Sequence, residues 1–138
     1  MEVPKIYAYS LNSVIAEKFE AIVSLGYANS RYKDFYDIYI LAINYDFDGS
    51  ELKRAIEETF HHRQTGFDDI VAFEKPFAED SIRKSRWNSF IKKKKAMETV
   101  DFGTAVEQII DFLKPIVEKI VDNGEMDTQW KSQKKIWK

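Results

Sequence analysis

The stretch Val14-Ile-Ala-Glu-Lys-Phe-Glu-Ala-Ile-Val-Ser-Leu-Gly26 combines helical periodicity with one charge in an unexpected place. At about 100° per residue, one helical face collects the apolar side chains Val14, Ile15, Phe19, Ile22 and Leu25. Lys18 projects from within this apolar arc, whereas Glu17, Glu20 and Ser24 fall together on the opposite side. An ammonium buried without an anion costs several kcal/mol or becomes neutral. Lys18 therefore requires a negatively charged partner.

The next stretch, Asn29-Ser-Arg-Tyr-Lys-Asp-Phe-Tyr-Asp-Ile-Tyr-Ile-Leu41, supplies two carboxylates on one helix face. Asp34 and Asp37 are three residues apart, with Arg31 one turn before the first and Lys33 one turn before the second. Asp34 falls between apolar neighbours, whereas Asp37 shares a polar strip with Lys33 and Asn44. The pattern predicts that Asp34 is the more buried of the two.

Two interpretations of these charges remain open. In the first, Asp34 or Asp37 pairs with Lys18 and fixes the angle between two helices, while both aspartates favour the positive end of the helix dipole. In the second, Lys18 meets a nucleotide phosphate and an aspartate orients its ammonium. The residues alone do not choose between a structural ion pair and a phosphate contact.

The whole pattern predicts an all-α domain spanning residues 1–138, with about five helices. Residues 4–9 have the aromatic and β-branched composition of a short strand, which would have no partner strand. The expected helices cover 10–26, 30–44, 48–65, 80–98 and 103–121, with Pro115 kinking the last one. In the fourth of them, Ile82, Phe90 and Met97 are the candidate inner contacts. Residues 67–77 are expected to be irregular. The tail from Asn123 is polar except for Trp130, Ile136 and Trp137.

Composition excludes several classes of protein. The 138 residues, 44% of them hydrophobic, suffice for one folded domain. There is no cysteine, which excludes a disulfide framework and thiolate metal sites. No apolar run approaches the roughly 20 residues of a membrane helix, and Met1 is not followed by an export signal. We therefore expect a cytoplasmic protein that does not contact membranes.

A basic block interrupts an otherwise acidic chain. Residues 81–97 carry seven basic and no acidic side chains, including the run Lys92, Lys93, Lys94 and Lys95. With Trp87 and Phe90 nearby, this block has the charge and aromatic content to bind a phosphate backbone. A solvated basic face over a core tryptophan explains the same residues.

The quoted residues also resemble a known family. Segments 14–21 and 29–38, followed by Phe47-Asp-Gly and Thr59-Phe60-His-His-Arg63, resemble the C-terminal half of the AbiEii/AbiGii toxins. These are nucleotidyltransferase-like proteins, several of them toxins of abortive-infection toxin–antitoxin systems. The resemblance implies that Lys18 contacts a nucleoside triphosphate such as GTP, and that Asp34 and Asp37 belong to the same active site. It also implies a transferase that uses magnesium and an acceptor that is tRNA in some members.

The sequence departs from the family pattern at its metal-binding motif. The family has a Gly-Ser pair followed by Asp-x-Asp, whose carboxylates hold the metal ions, and no such segment precedes Ile6. The segment Asp46-Phe-Asp48 is followed by Gly49-Ser50, which is the reverse order, and turn and cap chemistry explains it better. We therefore expect a domain without its N-terminal catalytic half, with no metal ligands and no activity alone. Mg²⁺ and a nucleoside triphosphate would bind only with the missing half.

The alternative from another class is a non-catalytic helical module that binds an antitoxin or a separate catalytic subunit. A metal site at His61 and His62 is not favoured, because adjacent residues point about 100° apart on a helix. Each histidine gains at most one acidic partner at a one-turn spacing, and two ligands make a poor site. Histidines that stabilise a helix C-terminus explain the pair more simply.

Overall fold

The described part of the chain folds into a body of α-helices with a small three-stranded sheet packed against it. The computed structural model describes residues 5–28, 31–94 and 99–138. The α-helices within them are α1 (Lys5–Leu25), α2 (Tyr32–Asn44), α3 (Gly49–His62), α4 (Lys75–Glu79), α5 (Ser81–Lys94) and α6 (Phe102–Val121). Short 3₁₀ turns cover Gly26–Ala28 and Val71–Phe73, and the strands are β1 (Phe47–Asp48), β2 (Gln129–Lys131) and β3 (Ile136–Trp137). The predicted mainly α-helical fold is confirmed.

The first helix begins earlier than predicted. Residues 5–9 are the start of α1 and not a strand, so the expected partnerless strand is wrong over these residues. Residue 4 lies outside the described ranges. Aromatic and β-branched composition is a weak signal for a strand, because continuation of a well-packed helix overrides it. At the other end α1 stops as predicted, since Gly26 takes the left-handed φ of 52° that favours glycine.

The core lies where α1, α2, α3 and α6 pack together. Phe19 of α1 meets Phe60 of α3 with ring centroids 5.3 Å apart. Phe35 of α2 meets Phe102 of α6 at 5.8 Å in an edge-to-face arrangement. Asp48 caps α3 by accepting a hydrogen bond from the backbone N–H of Glu51, as the sequence predicts.

The segment between α3 and α6 is more ordered than expected. Residues 67–77, predicted to be irregular, contain the second 3₁₀ turn and most of α4. In α5 the inner contacts are Trp87 and Ile91, whereas Ile82, predicted to face inward, is 61% exposed. Met97, another predicted inner contact, lies outside the described residues. Ile82 faces away from the core because, at about 100° per residue, it lies about 140° from Trp87 and about 180° from Ile91 around the helix.

The C-terminal tail docks on the body as a β-hairpin. Strand β2 pairs antiparallel with both β1 and β3, so the sheet order is β1-β2-β3. Trp130 is fully buried and its indole N–H donates to the carbonyl of Ala42 at 2.7 Å. Trp137 donates likewise to the carbonyl of Phe112. The start of α3 lies so close to the tail that a Cβ on Gly49 would sit 2.5 Å from the Thr128 carbonyl oxygen.

Candidate nucleotide-phosphate site

Lys18 lies between α1 and α2 and contacts both predicted carboxylates. Its Nζ is 3.3 Å from Asp34 Oδ1 and 3.0 Å from Asp37 Oδ2. The side chain of Lys18 is 23% exposed, so its ammonium is sheltered but still reaches solvent. The apolar arc of α1 explains the shelter, because Ile15, Phe19 and Ile22 are buried beside it. The three residues singled out in the sequence therefore form one cluster.

The two aspartates differ in burial as the sequence predicts. The side chain of Asp34 is 4% exposed and that of Asp37 is 22% exposed. Among the described residues no hydrogen-bond donor is aligned on Asp34 Oδ2, although Arg31 Nε lies 3.2 Å from it. Asp34 thus depends on Lys18 for its hydrogen bond and on Arg31 for additional positive charge.

Two further cations flank the cluster on its solvent side. Lys33 Nζ bonds Asp37 Oδ2 at 2.7 Å, and Arg31 pairs with Asp34 one turn away. Both side chains are mostly exposed. Among the described residues, three cations thus contact the two carboxylates, with Lys18 sheltered and Arg31 and Lys33 on the solvent side.

The electrostatics keep these groups ionised. Burial by itself lowers the pKa of Lys18, but hydrogen bonds and charges from Asp37 and Asp34 outweigh burial and hold that pKa above its ordinary 10.5. Burial likewise raises the pKa of Asp37, but hydrogen bonds from Lys33 and Lys18 outweigh it and hold the pKa below the ordinary 3.8. The ammonium and its carboxylate partner are therefore both charged at neutral pH.

Candidate metal ligands are not brought together in the described part of the chain. No group of three or more histidine, aspartate or glutamate side chains is placed to hold an ion in residues 10–28, 31–94 and 99–138. Asp46 instead accepts hydrogen bonds from the backbone N–H and hydroxyl of Ser132, and Asp48 caps α3. Turn and cap chemistry thus accounts for this Asp-x-Asp segment. His61 and His62 are exposed in the last turn of α3.

In the basic block of residues 81–97, the described lysines of the Lys92–Lys95 run are exposed to solvent, whereas the tryptophan is buried. Lys92, Lys93 and Lys94 are exposed at the end of α5, while Lys95 lies outside the described residues. Trp87 is fully buried and donates its N–H to the carbonyl of Val100 at 2.7 Å. Stacking of a base on Trp87 is therefore excluded in this conformation, and the charged face stands over a core tryptophan. Lys94 Nζ lies 5.3 Å from the ring centroid of Tyr36, on α2.

A second charged cluster on α1 was missed from the sequence. Glu20 is only 4% exposed and accepts hydrogen bonds from Arg63 Nη1 at 3.2 Å and Thr65 Oγ1 at 2.6 Å. Its helical wheel position suggested a solvent-facing residue, because the end of α3 that covers it is more than forty residues away in sequence. The resemblance had marked Arg63, and its contact with Glu20 explains that position structurally.

Comparison with known proteins assigns the chain to a family. The family profile described as "Nucleotidyl transferase AbiEii toxin, Type IV TA system" matches residues 1–124 of the 138. The chain therefore belongs to this family of nucleotidyltransferase-like toxins. Comparisons with curated proteins and with solved structures gave no match.

A helix that crosses a lipid bilayer must be long and apolar enough to span its hydrocarbon core. Within the residues that the structure describes, none of the helices is both long enough and apolar enough to cross a membrane.

Proposed function

We propose that the protein acts as a nucleotidyltransferase-like toxin in which Lys18 holds a phosphate of a bound nucleoside triphosphate, GTP or another. In this proposal Asp34 and Asp37 orient the ammonium. Arg31 and Lys33 add charge at the entrance. Membership of the AbiEii family supports the class of reaction, and the geometry around Lys18 supports this choice of residues.

One observation carries the proposal: two carboxylates hold the Lys18 ammonium, yet its hydrogen-bonding capacity is not exhausted. A lysine ammonium has three N–H donors, and Asp34 and Asp37 take two of them. The third donor suits an incoming phosphate oxygen, since charge-assisted hydrogen bonds are the strongest class. Arg31 and Lys33 add positive charge on the solvent side of the same cluster.

Magnesium does not fit the residues of this cluster. Asp34 and Asp37 are already engaged by cations at 2.7–3.3 Å, and a divalent ion beside Lys18 would be repelled. Mg²⁺ also prefers six oxygen ligands near 2.0–2.1 Å. Transfer would need metal-holding carboxylates from outside the described residues, so this chain supplies phosphate binding and orientation. Toxicity would follow from transfer of a nucleotide to an acceptor such as tRNA.

The test is nucleotide-dependent protection against thermal unfolding. GTP and other triphosphates, with magnesium, are added to the wild-type chain and to Lys18→Met. At a ligand concentration ten times the Kd, binding stabilises the native state by about 1.4 kcal/mol, which raises Tm by a few degrees. We expect this rise in the wild type and none in Lys18→Met, each compared with its own ligand-free Tm.

Lys53→Met is the matched control, because it removes the same charge from a sheltered lysine that pairs with a carboxylate, Glu57, on α3. It should keep most of the protection. Equal protection in Lys18→Met and the wild type would refute the assignment of Lys18. Nucleotide transfer by this chain, measured beside a longer product that carries Gly-Ser and Asp-x-Asp, tests the need for a second set of carboxylates.

A further inference from the structure

An open basic cleft lies between the end of α2 and the C-terminal hairpin. It encloses about 810 Å³ and is lined by Ile43, Asn44 and Asp46 from the α2 side and by Lys131, Lys134 and Lys138 from the hairpin, among others. Its lining side chains thus include three lysines and one acid. Asp46 is already bonded twice to Ser132, so its charge holds the hairpin in place. The lysines dominate what the cleft presents to solvent.

The hairpin that supplies these lysines is firmly placed, although it lies beyond residues 1–124 that match the family profile. Trp130 and Trp137 anchor it through indole hydrogen bonds to α2 and α6. The backbone of Lys138 exchanges two hydrogen bonds with Gln129. The cleft is therefore a feature of this chain's own tail, built on rigid supports.

The cleft is aligned with the Lys18 cluster along α2. Asn44, which lines the cleft, is seven residues after Asp37, and seven residues return to nearly the same helix face. At about 1.5 Å per residue the two sites are about 10 Å apart along the axis. A strand that lies along this face of α2 would therefore reach both sites within a few nucleotides.

We propose that this cleft binds the phosphodiester backbone of a single-stranded nucleic acid lying along α2 toward Lys18. This inference rests on the proposed function, because it names the surface that would hold the acceptor strand. Lysines near the C-terminus of α2 would also stabilise its helix dipole. That dipole end is equivalent to about half a negative charge, so three lysines are more than the dipole accounts for. An acidic peptide is less favoured, since of the residues named only Ile43 offers an apolar contact.

The experiment measures binding of a labelled single-stranded RNA of mixed sequence to the full chain, without nucleotide, over a range of salt concentrations. In the variant Lys131→Gln/Lys134→Gln/Lys138→Gln, affinity at low salt should fall at least about tenfold. The slope of log K against log salt should become shallower by about 2, since each single-strand phosphate contact contributes about 0.7. Lys134→Gln/Lys138→Gln serves if loss of Lys131, which bonds Gln129, disturbs the hairpin.

The matched control is Lys75→Gln/Lys114→Gln/Lys119→Gln, which removes three exposed charges elsewhere and should keep the wild-type slope. Lys92→Gln/Lys93→Gln/Lys94→Gln compares the end of α5 with the cleft. Wild-type binding by the hairpin variants would overturn the proposal, as would an equal loss in the matched control. Equally tight binding of polyglutamate of the same charge would also overturn it.

Failure of the cleft and failure of the proposed function are distinguishable. The hairpin variants should keep the GTP-dependent rise in Tm, because they leave Lys18 intact. Lys18→Met should keep the RNA binding of the cleft while losing the nucleotide effect. RNA binding lost in Lys18→Met and kept in the hairpin variants would place the strand elsewhere and refute the inference.

Discussion

Helix α1 buries one charged cluster on each side, and the two clusters are built differently. Toward α2, Lys18 lies between Asp34 and Asp37 with two more cations outside, and its side chain is 23% exposed. Toward the end of α3, Glu20 is almost fully buried and both of its oxygens are engaged, by Arg63 and by Thr65. A saturated cluster serves to hold two segments together, whereas one whose lysine keeps a donor toward solvent suits the ligand binding that we propose.

The largest expected effect on stability comes from a substitution that breaks the saturated cluster around Glu20. Glu20→Ala should lower the free energy of unfolding by about 2 kcal/mol, because it removes two hydrogen bonds to a buried carboxylate and leaves Arg63 only its longer contact with Glu17. Urea denaturation measures the loss. The change should leave nucleotide-dependent protection intact, since Glu20 lies on the other side of α1.

Glu17→Ala is the matched control for that change. Glu17 approaches the same arginine at 3.6 Å, but its side chain is 62% exposed, so its loss should cost less than about 0.5 kcal/mol. Equal costs for the two substitutions would contradict the view that burial distinguishes these carboxylates.

An intermediate effect concerns the pH dependence of the stability that the Lys18 cluster contributes. The pKa of Asp37 lies below 3.8 in the folded chain, so its stabilisation is present above pH 3.8 and is lost as pH falls through the lowered value. Asp37→Asn should therefore cost about 0.5–1 kcal/mol at pH 7, and the cost should shrink as the pH falls below 3.8 toward pH 2. Unfolding measured at both pH values checks this.

The alkaline side has the opposite sign. The raised pKa of Lys18 gives stabilisation that is complete below pH 10.5 and is lost as pH rises through the folded-state value.

The acid-side prediction for Asp37 has a clear contradicting outcome. If the difference in unfolding free energy between Asp37→Asn and the wild type stays constant down to pH 2, Asp37 acts through packing and not through charge.

The smallest expected effect concerns the entrance to the Lys18 cluster. Lys33→Met should change the free energy of unfolding by no more than about 0.5 kcal/mol, because the Lys33 side chain is 65% exposed and solvent screens its pair with Asp37. It should nonetheless weaken nucleotide binding at low salt more than at high salt, as expected for a charge that acts at a distance. Titration of GTP at two ionic strengths measures this.

The Lys18 cluster was predictable because all of its signals are local. A lysine inside an apolar arc and an aspartate between apolar neighbours are visible over one or two helical turns, and Lys18, Asp34 and Asp37 do meet. Their role toward a nucleotide stays a prediction. The Glu20 cluster depends on Arg63 and Thr65, which follow α3 and are more than forty residues from Glu20 in sequence. A helical wheel for α1 contains no information about residues so far away.

The same distinction explains the fold. Helices α2, α3 and α6 follow from periodicity and capping residues, and their observed bounds are close to the predicted ones. The hairpin was not predicted, because its turn lacks the Asn-Gly or Asp-Gly pair typical of tight hairpins, and Lys135 takes a positive φ of 55° instead. The apolar residues Trp130, Ile136 and Trp137 were the only sign in the sequence that this otherwise polar tail packs against the helices.

The backbone N–H of Gly49 donates to the Thr128 carbonyl, and Trp130 fills the space against Ala42 and Phe112. A fragment that stopped at residue 124, where the family similarity stops, would lose this last layer and leave Phe47 and Phe112 open to water. Such a surface promotes self-association. The layer that closes this side of the core thus lies outside the part of the chain that the family profile covers.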